Sequence, residues 1–461
     1  MATSPARRDA FEILRRVELE GAYAAVLLTN LDPGMRDDDR ALCHELVLGV
    51  LRRQLWLDCV IEHFAKRSGD KIDLPVKLAL RLGLYQLRFL SRIPPSAAVN
   101  ESVNLVRAAG LRSAGSFANA VLRAATREPD FDPTAGLGGA AEKLSIETSH
   151  PLWLIGRWIV AFGFEETVAL AHANNEPAPV AFRFTPRRKD TKQIIDELES
   201  TGARVSSSKI APAAWRVGVR TRSGSDGIMN SRVLSDRASR MPALLRELAR
   251  AGLIYLQDEA SQLVAHLLGA QPGDRVLDAC AAPGSKTTHL AALAPGALIV
   301  AGDLHAQRLR TLNELAKQQG ADNITAVACD ATRRLPFAGG SFDRVLVDAP
   351  CSGTGTLRRN PEIRWRLAPA DIENLAEKQS QILANASAVV RVGGRLVYST
   401  CSVEPEENEQ VIENFLNEHE GFRRALLDVP ADLETKNGAV RTWPHHHNTE
   451  GFFVVALERH A

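Results

Sequence analysis

The sequence has few of the features that mark secreted, membrane-spanning or disulfide-stabilised proteins. Six cysteines in 461 residues are too few for a disulfide scaffold. The longest stretch without charged or strongly polar residues, 290–301, has twelve residues, whereas a membrane-spanning helix needs about 20. Residues 1–16 carry charges throughout and contain no apolar core of a secretory signal. We therefore expect a cytoplasmic protein with free thiols and no membrane segment.

An overall excess of charge of either sign is also missing. Lysine and arginine number 56 against 55 acidic residues, a net charge of +1, which excludes a histone-like protein and an acidic disordered chain. Segment 77–127 differs, because eight basic residues and one acid give it a net charge of +7. Four of the basic residues fall on one helix face: Lys77, Arg81, Arg88 and Arg92. This excess favours a surface that faces nucleic-acid phosphates over an ordinary solvated helix face.

The length predicts about three domains of roughly 150 residues each. Residues 1–127 carry apolar residues at helical spacing over 6–19, 39–65 and 74–90, with a break at the proline pair 94–95. This pattern predicts an all-helical domain. Residues 128–144 include a stretch rich in proline, glycine and aspartate, which indicates a linker.

Residues 145–250 are predicted to form a small α+β domain. Its expected elements are a helix at 152–173, a strand at 179–185, a helix at 190–200 with Asp190 as N-cap, a strand at 216–219 and a polar loop at 223–240. Residues 251–461 alternate strands and helices, with strands expected at 275–279, 298–302, 324–328, 344–347 and 395–398. Such alternation predicts a parallel sheet covered on both faces, which binds its ligand at the carboxyl ends of the strands.

The first candidate site is the loop after the first of these strands, with the sequence DACAAPGSKT at 278–287. Small residues let a ligand approach the backbone, and the following helix offers free N–H groups. The loop matches neither the dinucleotide-binding nor the P-loop pattern. By itself it indicates a cofactor site of unspecified kind, with a plain tight turn as the alternative.

Carboxylates end or closely follow four consecutive strands, at Asp278, Asp303, Asp330 and Asp348. An acid 25 residues after Asp278 suits the hydroxyls of a ribose. One such aspartate would more often be a helix N-cap. Four in register favour a ligand site at this edge of the sheet.

Two cysteines follow the fourth and fifth strands, Cys351 in DAPCSGTG and Cys401 in YSTCS. If these strands are neighbours, both thiols face one crevice, and a thiolate is a strong nucleophile. Cys43, Cys59 and Cys329 are interpreted as inert packing residues.

Three motifs of this sequence resemble those of the S-adenosylmethionine-dependent RNA cytosine-C5 methyltransferases: DACAAPGSKTTHL, DAPCSGTG and YSTCSVEPEENE. The wider pattern resembles the bacterial small-subunit ribosomal RNA enzymes of the Fmu/Sun type over nearly the whole chain. Three N-terminal segments are similar to their NusB-like domain: ELVLGVLRRQLWLD, LRLGLYQLRFLSRIPPSAAVNESV and ANAVLR. The segment QDEAS is similar to the one before their cofactor loop, and GFFVVALER is similar to their closing strand. The sequence departs from the family at Ser285, where glycine is more frequent, and at Glu450, where aspartate is common.

The resemblance implies three domains. They are an all-α NusB-like RNA-binding domain at 1–127, a small α+β domain of RRM-like, RNA-binding type at 145–250, and an α/β Rossmann-like methyltransferase domain at 251–461.

The resemblance also implies the roles of residues. Cys401 would be the nucleophile, and Cys351 would assist proton removal and release of the enzyme. Contacts to S-adenosylmethionine would come from Cys280, Ala281, Ala282, Pro283, Gly284, Ser285, Lys286, Asp303, Asp330 and Asp348. Asp303 would hold the ribose hydroxyls, Asp330 the adenine, and Asp348 also the cytosine edge near N3. Lys286 would pair with an acid, for which Asp258 is a candidate.

The implied partner is 16S ribosomal RNA, free or in a small-subunit assembly intermediate, with the target cytosine in a loop or flipped out. Arginines 358, 359, 364 and 366 are either RNA contacts near the site or ordinary surface residues. The histidines at 445–447 are expected in a loop that holds no metal, and a monomer is expected. The alternatives are a transfer RNA cytosine methyltransferase and a non-catalytic RNA-binding assembly factor.

Overall fold

The computed structural model describes residues 3–187, 190–219 and 240–461. It divides into two compact units. The first contains the chain up to Glu176 together with Leu357–Arg366, and the second contains Pro177–Thr356 and Leu367–Ala461. The predicted polar loop at 223–240 lies outside the described residues except for Arg240, where a helix begins. Among the helices described, none is long and apolar enough to cross a membrane.

The α-helices of the described residues are, in chain order, α1 Pro5–Glu20, α2 Ala24–Thr29, α3 Asp37–Arg52, α4 Gln54–Ala65, α5 Leu74–Phe89, α6 Pro95–Ala108, α7 Ala114–Arg127, α8 Ala140–Thr148, α9 Leu152–Phe162, α10 Phe164–Ala173, α11 Thr191–Ser200, α12 Arg240–Arg250, α13 Glu259–Leu268, α14 Ser285–Leu293, α15 Ala306–Gln319, α16 Ile363–Arg366, α17 Pro369–Ser387, α18 Glu409–Glu418 and α19 Pro444–His447. The strands are β1 Val180–Phe184, β2 Ala203–Ser207, β3 Ala214–Val219, β4 Ile254–Leu256, β5 Arg275–Asp278, β6 Leu298–Asp303, β7 Ile324–Ala328, β8 Phe342–Asp348, β9 Val390–Thr400, β10 Phe422–Arg424, β11 Val440–Thr442 and β12 Phe452–Arg459. Short 3₁₀ turns cover Gly69–Lys71, Thr354–Thr356 and Pro405–Glu407.

The first unit is helical throughout its described elements, as predicted, but two predicted helices are each divided. The helix expected at 39–65 is α3 and α4, which meet at Arg53 (φ −113°, ψ 16°). The helix expected at 152–173 is α9 and α10, separated by Gly163 at φ 86°, a left-handed conformation that glycine adopts without strain. Apolar spacing continues through both breaks, which is why periodicity alone did not reveal them.

The basic face predicted on α5 does not form a phosphate-binding surface. Arg81 is buried and pairs with Asp58 at 2.7 Å and with Glu18 at 2.6 Å. Lys77 Nζ lies 3.3 Å from Asp58, and Arg88 donates to backbone carbonyls after α7. These charges are held within the unit, since a buried arginine is stable only when its donors are satisfied. Arginines that remain exposed in the basic segment lie after α5, on α6 and α7 or between them: Arg92, Arg107, Arg112, Arg123 and Arg127.

Segment Leu357–Arg366 packs within the first unit, although its chain neighbours on both sides belong to the second. Arg364 is fully buried, and its Nη1 donates to the carbonyls of Thr148 and Ser149. Arg358 is also buried, and Arg366 donates to three backbone carbonyls of the segment at 17–22. Arg358 and Arg364 are therefore neither RNA contacts nor surface residues, because both side chains are buried within the protein. Arg366 is exposed, and its role as an RNA contact stays a prediction.

The small sheet of the second unit has the antiparallel order β2-β3-β1-β4. With α11 and α12 it follows the order β-α-β-β-α-β of a ferredoxin-like domain. The predicted N-cap of α11 is confirmed, because Asp190 accepts from the backbone nitrogens of Lys192 and Gln193. Phe182 packs between the sheet and the two helices.

The opposite face of this sheet is covered by α13 and α14 of the same unit. Ala214 packs with Leu263 of α13, and Arg183 donates to Thr288 of α14. An RNA-recognition motif stacks bases on this face of its sheet. RNA binding of that type, implied by the RRM likeness, is therefore contradicted, since packing within the unit occupies the face.

The large sheet has the order β7-β6-β5-β8-β9-β12-β10, with β11 paired to β12. Strands β5 to β9 are parallel, as predicted, but β12 runs antiparallel to β9 and to β10. The sheet is therefore mixed, because the C-terminal strand inserts between β9 and β10. Helices α13 and α14 pack against one face, and α17 and α18 against the other. The predicted coverage of both faces is confirmed.

Candidate functional site

The loop from Asp278 to α14 is held close to the end of β6. Ala281 N donates to Gly302 O at 2.8 Å, and Ala282 N donates to Asp303 Oδ2 at 3.2 Å. Gly284 begins α14 at φ 109°, and a Cβ added there would meet Leu312 Cγ at 2.9 Å. Only glycine fits this position without displacing the leucine. The predicted cofactor residues from Cys280 to Ser285 thus form one tight turn before a helix N-terminus.

The acids predicted at the strand ends lie along one edge of the parallel sheet. Asp278 and Asp348 end the adjacent strands β5 and β8, and Asp303 ends β6. Asp330 follows β7 by two residues and accepts from the nitrogen and hydroxyl of Thr332, which lowers its pKa. Asp303 Oδ1 accepts from His305 N at 2.9 Å.

Asp278 has a buried carboxyl oxygen that lacks a partner. Its Oδ2 accepts from Thr287 Oγ1 at 2.7 Å, whereas Oδ1 has no hydrogen-bond partner within the described part of the chain. Burial raises the pKa of Asp278 to about 7. A ligand with an ammonium group would satisfy this oxygen, so the pocket fits a cofactor that carries both an amino-acid group and a ribose.

Lys286 is buried and directs its ammonium to Asp348, with Nζ and Oδ2 2.7 Å apart. Burial lowers the pKa of Lys286, but the Asp348 charge and hydrogen bond outweigh it and raise that pKa above its usual value. Asp348 Oδ1 accepts from Ser399 Oγ at 2.8 Å. The acid bound to Lys286 is thus Asp348, whereas Asp258, the candidate named from the sequence, caps α13 and accepts from Thr449 Oγ1.

The two cysteines meet at the ends of the neighbouring strands β8 and β9. Their Sγ atoms lie 3.3 Å apart. The hydrogen bond with Cys401 and burial raise the pKa of Cys351 well above its usual value. Gly355 N donates to Cys401 O at 2.9 Å, and a Cβ on Gly355 would meet that same oxygen at 2.8 Å. The two loops therefore approach as closely as glycine allows.

The remaining cysteines lie in other surroundings. Cys43 is buried in the helical core, and burial raises its pKa to about 12. Cys59 and Cys329 are half-buried, and burial raises the pKa of each. These surroundings agree with their interpretation as inert packing residues.

Sequence reasoning missed Glu407, whose carboxylate binds both cysteine loops. Its Oε2 accepts from Ser352 Oγ and Ser402 Oγ, each at 2.5 Å. The EPEENE run resembles a solvated acidic stretch, yet Glu404 and Glu407 are buried. Glu406 and Glu409 are half-buried, and composition carries no signal that separates them from the fully buried Glu407.

Known proteins resemble the chain over its whole length. A Bacillus subtilis protein named "Probable ribosomal RNA small subunit methyltransferase B" is 33% identical over 470 residues, covering 100% of both chains. The chain belongs to the RsmB/F family of 16S rRNA methyltransferases. A Synechocystis relative with the same name is 34% identical, covering 98% of this chain and 99% of that one.

Family models place the three parts of this RsmB/F-family chain. Residues 265–458 match the 16S rRNA methyltransferase RsmB/F model, 4–127 the NusB family, and 150–220 the ferredoxin-like domain of RsmF/B-like methyltransferases. The solved structure of PH0851 is 28% identical, covers 100% of both chains and has a TM-score of 0.80. The predicted fold class is confirmed, and family membership confirms S-adenosylmethionine as the predicted cofactor and RNA as the predicted partner.

Proposed function

We propose that this RsmB/F-family protein methylates carbon 5 of one cytosine in 16S rRNA through a covalent bond between Cys401 and carbon 6. The observation that carries the proposal is the 3.3 Å approach of the Cys351 and Cys401 sulfurs. Carbon 5 of cytosine is a weak nucleophile until a thiolate adds to carbon 6. Completing the reaction also requires removal of the carbon-5 proton and cleavage of the sulfur–carbon bond. A pair of thiols accounts for these steps if one thiol attacks carbon 6 and the other assists removal of the carbon-5 proton and release of the enzyme.

The surroundings of the two thiols support giving them different roles. The hydrogen bond with Cys401 and burial raise the pKa of Cys351, so we give Cys351 the role of the thiol that stays protonated while Cys401 attacks carbon 6. Bonding of the Cys401 sulfur to carbon 6 alters the hydrogen bond that raises the pKa of Cys351. Cys351 can then release its proton to solvent and, as a thiolate, take the carbon-5 proton, after which cleavage of the sulfur–carbon bond frees Cys401.

The cofactor site follows from the loop and the strand-end acids. When bound, S-adenosylmethionine supplies an electrophilic methyl group. We assign its amino-acid group to the turn from Cys280 to Ser285 and to Asp278 Oδ1, its ribose hydroxyls to Asp303 and its adenine to Asp330. Lys286 acts by holding Asp348, whose carboxylate is placed to accept a hydrogen bond from the cytosine edge.

The RNA is proposed to bind through four exposed arginines of the basic segment, Arg107, Arg112, Arg123 and Arg127, because phosphate contacts fix register while the catalytic domain reads the base. A monomer acting in the cytoplasm on free 16S rRNA or an assembly intermediate remains our proposal for the working state.

The test is methyl transfer from tritiated S-adenosylmethionine to three substrates: a 16S rRNA transcript, small-subunit particles and transfer RNA. Chromatography of the digested product should give 5-methylcytidine, and bisulfite sequencing should place it at one position. Label in another nucleoside would overturn the cytosine-C5 assignment, and label in transfer RNA alone would replace the substrate.

A further inference from the structure

The carboxylate of Glu407 joins the two cysteine loops from beneath. Oε1 accepts from Ser352 N at 2.8 Å and from Gln379 Nε2 at 2.9 Å. Oε2 accepts from the hydroxyls of Ser352 and Ser402. Ser352 directly follows Cys351, and Ser402 directly follows Cys401. One side chain therefore binds the neighbour of each thiol.

Glu407 is itself held firmly at the end of β9. Its carbonyl accepts from Tyr398 OH at 2.6 Å. The next residue, Asn408, accepts from Thr400 Oγ1 at 2.5 Å and donates to Ser402 O at 2.9 Å. Gln379, which binds Oε1, also donates to the carbonyl of Pro350 at 2.9 Å. The backbone around Glu407 is thus fixed by hydrogen bonds, so its carboxylate can set the position of both loops.

A buried carboxylate needs several donors to offset the loss of hydration, and hydrogen bonds to a charged acceptor are the strong ones. Glu407 is fully buried and receives four. Both of its oxygens are already bonded to groups of the protein, so Glu407 acts through the residues it binds rather than by touching RNA or cofactor.

We propose that Glu407 is a positioning residue that sets the approach of the Cys351 and Cys401 thiols, an inference that rests on the two-thiol reaction proposed above. Without the carboxylate, four donors lose this charged acceptor. Contacts between neutral groups still join the loops, among them Ser352 Oγ to Ser402 Oγ at 3.0 Å and Gly355 N to Cys401 O at 2.9 Å, but hydrogen bonds between neutral groups are weaker than those to a charged acceptor. Both thiols would then drift from the geometry that covalent catalysis requires.

Glu407→Gln is the conservative variant, because it removes the charge but keeps a side chain of the same size that can form the hydrogen bonds. Its oxygen can keep the two nitrogen donors on the Oε1 side. Its NH₂ can donate to the hydroxyls of Ser352 and Ser402, which can turn and accept. Alanine removes the shared acceptor of all four donors, and the two nitrogen donors on the Oε1 side lose it without a replacement on that residue. Glu413→Gln is the matched control, because Glu413 is half-exposed on α18 and pairs with Arg424.

The experiment compares full-length wild type, Glu407→Ala, Glu407→Gln, Ser402→Ala and Glu413→Gln. Initial rates are divided by the concentration of S-adenosylmethionine-binding sites measured by calorimetry, so that unfolded protein does not lower the apparent kcat. We expect kcat to fall about 100-fold in Glu407→Ala, as a displacement of about 1 Å can cause, with an unchanged KM for S-adenosylmethionine. The kcat of Glu407→Gln should be at least tenfold higher than that of Glu407→Ala, and Glu413→Gln should match wild type.

A second readout does not depend on methylation. The azo oxidant diamide takes up two hydrogen atoms from a pair of close thiols and leaves a disulfide, which peptide mass spectrometry identifies as Cys351–Cys401. Its formation should be at least tenfold slower in Glu407→Ala and in Ser402→Ala than in wild type and Glu407→Gln.

The outcomes separate this inference from the proposed function. If wild type forms the disulfide rapidly but makes no 5-methylcytidine, the proposed function fails while the positioning of the thiols stands. If wild type methylates and Glu407→Ala equals it in kcat and in disulfide formation, Glu407 does not position the thiols. Should Glu407→Ala not fold, Ser402→Ala decides by the same two measurements.

Discussion

The sulfur atoms of Cys351 and Cys401 lie 3.3 Å apart, although 50 residues separate them along the chain. They meet because β8 and β9 are parallel neighbours, with Asp348 in register with Ser399. Each cysteine follows the carboxyl end of its strand, so the sheet delivers both thiols to one edge. The acids that we propose as cofactor contacts lie along that same edge, where ligands of parallel sheets bind.

Replacing Cys401 by alanine should abolish methyl transfer. The substitution removes the only atom proposed to bond carbon 6, so incorporation of tritiated methyl into 16S rRNA should fall by about 10⁴-fold or more. Cys59→Ala, in a half-buried position of the first unit, should retain wild-type incorporation. Equal incorporation by Cys401→Ala and wild type would assign the nucleophile to another residue.

Replacing Cys351 by alanine should trap the enzyme on RNA. Without the second thiol, the carbon-5 proton is not removed and the bond from Cys401 to carbon 6 persists. A slowly migrating protein–RNA band should accumulate on denaturing gels with labelled RNA and S-adenosylmethionine. The double variant with Cys401→Ala should show no such band. A Cys351→Ala enzyme that turns over without the band would rule out the division of labour between the thiols.

The raised pKa of Asp278 predicts how stability depends on pH. Its pKa in the folded protein is about 7, against 3.8 as the ordinary value. Between these values the folded state holds a proton that the unfolded state releases, so stability falls as pH rises toward 7 and then levels off. Asp278→Asn should lack this component. Chemical unfolding at pH 5, 6, 7 and 8 measures it, and parallel curves for both proteins would contradict the prediction.

Two arginines of the basic segment should behave oppositely. Arg81→Ala leaves Asp58 without its close partner and should lower the free energy of unfolding by about 3 kcal/mol. Arg112→Ala, at an exposed position, should change stability little but weaken RNA binding. The slope of log affinity against log salt concentration should fall by an amount that corresponds to about one phosphate contact. Thermal unfolding and binding titrations at several salt concentrations measure both. A loss of RNA affinity confined to folded Arg81→Ala would reverse the assignment.

Sequence alone determined the parallel strands β5 to β9, the small-residue turn at 278–287 and the acids at the strand ends, whereas β2, β4, β10 and β11 were not predicted. These features are local: apolar runs define β5 to β9, and small residues define the turn that follows. The positions of Cys351 and Cys401 could also be read, because a parallel sheet brings successive strand ends to one edge. Even the N-cap at Asp190 was predictable, since a cap depends on residues within one turn.

Only the tertiary structure decided what each charge does. Arg81 and Arg364 looked like nucleic-acid contacts and are buried among partners far away in the sequence. Glu407 looked like part of a solvated acidic run and binds both cysteine loops. The reversed direction of β12 likewise depends on which strand β9 meets. The physical reason is that local pattern fixes which groups are present and on which element, whereas burial and pairing depend on what the rest of the chain packs against them.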